Sequence, residues 1–118
     1  MDDLVEQVIA WAKLQPEIAA VYLYGSVAEG RSSALSDLDI ALLVRPELTK
    51  QEIWRFEDRW SALWPEKIDL RVINLAPTAF QFEVTTRGKQ LWRADINSVA
   101  EQESLIWRKY WDEEPRLK

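Results

Sequence analysis

The chain has no cysteine and no histidine among its 118 residues. Without cysteine there is no disulfide and no thiolate-held metal. Without histidine there is no Ser-His-Asp triad, no His-ligated zinc and no imidazole base. Glycine is scarce, at three residues. Positive charge is outnumbered, with 15 Lys and Arg against 20 Asp and Glu and a formal net charge of −5 at pH 7. That balance argues against broad electrostatic binding to nucleic acid, though not against a nucleotide held through a metal. No apolar run approaches the roughly 18 residues of a membrane span. Met1-Asp2-Asp3-Leu4 has neither the basic start nor the apolar core of a signal peptide. The expectation is a soluble, cytoplasmic protein whose chemistry runs on carboxylates, hydroxyls, Lys, Arg and bound metal.

What the chain does have is a large apolar fraction, 47%, and seven tryptophans, enough for one compact domain over residues 1–118. Leu4, Val5, Val8, Ile9 and Ala12 recur at helical spacing, and Pro16 stops that helix. Ile18 to Tyr24 reads as a buried strand ended by Gly25-Ser26, with a short helix next. Asp37 to Val44 reads as a second strand. Thr49 and Glu52 form a capping box ahead of a helix carrying Ile53, Phe56, Trp60, Leu63 and Trp64 on one stripe. Lys67 to Ile73 reads as a third strand. Pro77 opens a helix that Gly88 terminates. Lys89 to Arg93 reads as a short edge strand. Asp95 or Asn97 caps a last helix with Ile96, Val99, Ile106, Trp107, Tyr110 and Trp111. This alternation predicts an α/β (α+β) domain of two layers, a mixed sheet of three to four strands packed with helices.

The densest chemical signal runs from Gly25 to Asp39. Gly25-Ser26 is followed by ten residues and then Asp37-Leu38-Asp39. Strand alternation puts Asp37 and Asp39 on one face, about 7 Å apart, and Leu38, Ile40, Leu42 and Val44 on the other. The third strand repeats the theme, with Ile68, Leu70 and Val72 alternating with Lys67, Asp69 and Arg71. If the two strands are neighbours, Asp69 joins Asp37 and Asp39. Three carboxylates held together repel one another, and Mg²⁺ relieves that repulsion while leaving room for substrate phosphates. Gly25 and Gly30 let backbone N–H groups approach a phosphate, with the Ser26 hydroxyl beside them. Arg31, Lys67 and Arg71 are phosphate partners by position.

These residues resemble the DNA polymerase β-like nucleotidyltransferase superfamily, whose signature is a Gly-Ser, ten residues, Asp-x-Asp and a third carboxylate on a later strand. The short length and the Arg87-Gly88-Lys89-Gln90-Leu91-Trp92 stretch resemble its minimal members, the MNT antitoxins encoded beside HEPN toxins. The resemblance implies Mg²⁺-dependent transfer of AMP from ATP to a tyrosine hydroxyl on a partner HEPN ribonuclease, which is thereby disabled. It implies that Asp37, Asp39 and Asp69 are catalytic and hold two Mg²⁺ ions. It implies that Gly25 and Ser26, with Arg31 and Ser36, bind the nucleotide. One departure is Glu29, an extra anion where many relatives carry a basic or neutral residue.

The tryptophans divide. Trp60 and Trp64 fit the stripe, with Trp11 and Trp92 as further core residues, while Trp54 lies off it. Trp107, Tyr110 and Trp111 crowd the last helix and fit either core or a protein interface. Two other functions remain open from sequence: a non-enzymatic module that neutralises its partner by covering it, and a transferase acting on a small molecule or an RNA end.

Overall fold

The computed structural model describes residues 2–25, 38–65 and 67–113. The elements are α1 (Asp2–Ala12), β1 (Ile18–Tyr24), β2 (Leu38–Val44), α2 (Lys50–Ser61), β3 (Ile68–Val72), α3 (Thr78–Arg87), β4 (Lys89–Arg93) and α4 (Ile96–Glu113). The short helix expected after Gly25-Ser26 lies outside the described residues. Among the described residues no helix is long and apolar enough to cross a membrane.

The four strands form one mixed sheet in the order β3-β2-β1-β4. β1 is antiparallel to both β2 and β4, and β2 is parallel to β3. The expected edge strand at Lys89–Arg93 is therefore β4. Period-two alternation sorts the side chains to two faces. On one face Val21, Leu23, Ile40, Leu42, Leu70 and Val72 pack against Val8 and Ala12 of α1 and Ile53 and Trp60 of α2. On the other, Ala20, Tyr22, Ala41 and Leu43 pack against Val84 of α3 and Val99 and Ile106 of α4. The expected mixed sheet packed with helices is what forms, and its helices divide between both faces.

Local chemistry explains the boundaries. Thr49 caps α2 by the foreseen box: its hydroxyl accepts from Glu52 N at 3.2 Å, and Glu52 Oε1 accepts from Thr49 N at 2.9 Å. Asp95, rather than Asn97, caps α4, its Oδ2 accepting from Ser98 N at 2.9 Å. Gly88 does end α3, but with φ −72 it is not left-handed. Its role is close approach: a Cβ there would strike Val84 O and come within 3.1 Å of Leu23 O.

The core stripe of α2 is shorter than read. The helix ends at Ser61, with Ala62 as C-cap, so helical spacing no longer governs Leu63, which stays 59% exposed. Trp64 still packs on the core, where Trp11 meets Trp60 and Trp64 edge-on with ring centroids 5.6 Å apart in each pair. Ile96, at the first turn of α4, is likewise exposed.

Thr49→Ala removes the hydroxyl that accepts from Glu52 N and leaves only the bond from the residue-49 N–H to Glu52 Oε1. It should destabilise the protein by about 1 kcal/mol, read as a lower urea midpoint with an unchanged slope.

Candidate active site

One hydrogen bond sets the register of the site. Leu38 N donates to Lys67 O at 2.7 Å, and from there β2 and β3 run in step, with Asp39 opposite Asp69. On the other flank of β2, Asp39 is paired in register with Tyr24 of β1. Tyr24, Asp39 and Asp69 thus form a row across three strands, spanning about 10 Å at the spacing of neighbouring strands. The residues between them in sequence, Leu38, Ile40, Ile68 and Leu70, are buried on the opposite face. The sequence expectation that Asp39 and Asp69 would meet if their strands were neighbours holds.

Gly25 follows Tyr24 directly and has φ 78, a left-handed backbone that favours glycine. A Cβ at this position would collide with Asp39 Oδ2. The missing side chain is therefore what lets the end of β1 lie against the carboxylate. Beside Gly25 is a pocket of ≈ 110 Å³, lined by Tyr24, Phe80, Glu83, Arg87 and Gly88 among others. Ser26, Arg31, Ser36 and Asp37, together with Glu29, lie outside the described residues.

The electrostatics of the row are those of concentrated negative charge. The Tyr24 hydroxyl is pushed up to about 12, first by burial and then by the charges of Asp69 and Asp39. Arg71 is held above its ordinary value, chiefly by Asp69. Arg71 Nε lies 3.4 Å from Asp69 Oδ2, with 60% and 43% of the two side chains exposed. An ion pair so open to water contributes little stability, so this guanidinium can exchange partners cheaply. Lys67, the other expected phosphate partner, is exposed at the start of β3.

Asp39 and Asp69 fit Mg²⁺. They offer hard carboxylate oxygens from adjacent strands and are partly open to water, so room remains for phosphate oxygens. Among the described residues no group of three His, Cys, Asp or Glu side chains converges; the third carboxylate expected from sequence, Asp37, is outside them.

Sequence reading missed two neighbours of the row. Tyr24 was legible in principle, because it stands two residues from Tyr22 and shares its face of the sheet, the face that carries Asp39 on β2. Phe80, edge-on to Tyr24 with centroids 5.4 Å apart, gave no local signal, since only the folding of α3 onto the sheet brings it there.

A glycine turn against an Asp pair on a mixed sheet defines a nucleotidyl-transfer scaffold. The chain belongs to the polymerase β nucleotidyltransferase family: the profile described as "Polymerase beta, Nucleotidyltransferase" matches residues 6–97. Among curated proteins it is similar to the protein adenylyltransferase MntA of Shewanella oneidensis, with 32% identity over 77 residues, covering 65% of this chain and 55% of that relative. The match thus spans little more than half the length of the curated relative. Among solved structures it is similar to a toxin–antitoxin crystallised with AMP-PNP (25% identity, TM-score 0.69, 92% of this chain and 87% of that one). A second likeness is to the MntA–HepT toxin–antitoxin (26% identity, TM-score 0.53, 91% and 81% covered).

Gly25→Ala forces a Cβ into Asp39 and a left-handed backbone onto alanine. It should cost about 1–3 kcal/mol in chemical denaturation and weaken AMP-PNP binding in calorimetry. Asp69→Asn removes the largest charge acting on Tyr24. The tyrosine ionisation near 12 should then move part of the way toward 10 in an ultraviolet difference titration, burial retaining the rest. The raised phenol favours folding only while protonated. That stability is complete below pH 10, the unfolded value, and is lost as pH climbs through about 12.

Proposed function

We propose that this protein is an adenylyltransferase that moves AMP from ATP to a tyrosine hydroxyl of a partner protein, a HEPN-type ribonuclease toxin, and acts as its antitoxin. The observation that carries the reading is the register pairing of Asp39 with Asp69 beside the left-handed Gly25. The adenylyltransferase and toxin–antitoxin descriptions of the relatives support it.

The roles follow from the chemistry of each group. Gly25 and Ser26 hold the β- and γ-phosphates through backbone N–H groups and a hydroxyl, with Arg31 and Ser36 adding donors. Asp37, Asp39 and Asp69 would hold two Mg²⁺ ions, which when bound neutralise phosphate charge and lower the barrier to in-line displacement. Asp69 takes the proton of the attacking hydroxyl. The acceptor oxygen bonds to the α-phosphorus, the bond from that phosphorus to the bridging oxygen of the β-phosphate breaks, and pyrophosphate leaves with its electron pair. Positioning the acceptor falls largely to the partner, and positioning is a major share of rate.

A second reading rests on Trp107 and Trp111, 37% and 48% exposed on α4: an aromatic surface that neutralises a partner by covering it. One variant separates the two. In a mixture of the protein, α-labelled ATP, Mg²⁺ and the HEPN partner, the partner should acquire label. Asp37→Asn with Asp39→Asn should reduce labelling roughly hundredfold or more and abolish neutralisation while the complex still forms. Retained labelling removes the assigned metal site; neutralisation without labelling favours the covering mode.

A further inference from the structure

A hollow of ≈ 420 Å³ lies along β3 and reaches the carboxylate row through Arg71, which contacts Asp69. Its walls include Trp54 and Glu57 of α2, Arg71 of β3, and Leu75, Pro77 and Phe80. Trp54 is 55% exposed and Leu75 39%, so an indole and an isobutyl group stand half in water over an apolar trough. Arg71 lies where the trough meets the site, its Nε against Asp69. Phe80 also walls the pocket beside Gly25, so the two hollows share a wall residue, one reaching Tyr24 of β1 and the other Arg71 of β3. The trough follows β3, an outer strand of the sheet. An extra strand cannot use that edge freely, because Val72 N already donates to Glu57 Oε2 at 2.7 Å. A guest has to enter by its side chain.

Phosphoryl chemistry fixes the direction of entry. The attacking and leaving oxygens lie roughly in line through phosphorus. With the triphosphate tail at Gly25, pyrophosphate departs toward β1, and the attacking hydroxyl must arrive from the β3 side. We propose that the β3-edge trough is the acceptor channel, taking a tyrosine side chain of the modified protein. Its ring lies against Trp54, Leu75 and Pro77, and its hydroxyl passes Arg71 to reach Asp69. An aromatic acceptor suits this lining: the ring packs on the apolar walls, and the guanidinium at the inner end attracts a ring face. The proposal rests on the transferase reading. In the step itself the phenolic oxygen bonds to the α-phosphorus, pyrophosphate leaves with the electron pair of the broken anhydride bond, and the phenolic proton passes to Asp69.

The test uses the full chain, ATP, Mg²⁺ and the HEPN partner of the labelling assay. Trp54→Ala and Leu75→Ala should each raise the KM for the partner about tenfold and leave AMP-PNP affinity and kcat at saturating partner within about twofold. Leu14→Ala, on an exposed leucine after α1, should change neither. A photocrosslinking residue in place of Trp54 should capture the peptide that carries the acceptor tyrosine. Wild-type acceptor kinetics in both trough variants, or capture of a different peptide, overturns the channel alone. Absence of any transfer by the wild-type protein overturns the transferase reading beneath it.

Discussion

Leu38 donates its N–H to Lys67 O, and the pairing of Asp39 with Asp69 depends on the register that this bond begins. A slip of one residue between β2 and β3 would turn the side chains of one strand to the other face. Asp39 or Asp69 would then point among Leu23, Leu42 and Trp60, an apolar setting where an unpaired carboxylate is costly. The same register buries Ile40, Leu70 and Val72. Core packing and carboxylate pairing therefore select one alignment. The Asn74 side chain fastens the far end of the pair, accepting from Val44 N and donating to Val44 O at 2.8 Å each.

Most of this was legible in the sequence where the determinants are local. Alternation through Leu38–Val44 and Ile68–Val72 specified both faces of the strands, and Thr49 with Glu52 marked the start of α2. The Asp39–Asp69 pair could be anticipated only on the condition that the two strands be neighbours. The condition was met because a parallel connection places α2 over one face of the sheet. What sequence could not supply were the juxtapositions made by tertiary contact: Phe80 against Tyr24, the trough between α2 and β3, and the approach of Gly88 to β1. Leu63 shows the converse limit. Its spacing matched the stripe of α2, but a helical stripe ends where the helix ends.

The site balances opposing demands on charge. Asp39 and Asp69 stand in adjacent register, with Tyr24 on one flank and Arg71 on the other. Arg71 meets Asp69 at 3.4 Å in a setting open to water, an ion pair that contributes little. Tyr24 contributes a phenol held protonated chiefly by burial and then by the charges of Asp69 and Asp39. The exposed aromatics of α4 are a separate matter: Tyr110 stacks on Phe82 with centroids 3.9 Å apart, and Trp107 Nε1 donates to Thr85 Oγ1, so this surface is anchored to α3 rather than loose.

The strand order has a consequence for how the chain is made. β1 is an inner strand, yet one of its two partners, β4, follows only after β2, α2, β3 and α3. Tyr22, buried on β1, donates to Glu103 Oε2 of α4 at 2.6 Å, across a separation of 81 residues. During synthesis β1 and β2 emerge early and can pair, but one edge of β1 and the face around Tyr22 stay uncovered until β4 and α4 have been released. β1, which ends just before Gly25, is therefore synthesised well before the segments that complete its enclosure. Closure of that kind demands non-local pairing, which is slow, and it leaves an apolar edge open to other chains in the meantime. Enclosure of β1 therefore waits for β4 and α4 rather than for the strands that carry Asp39 and Asp69.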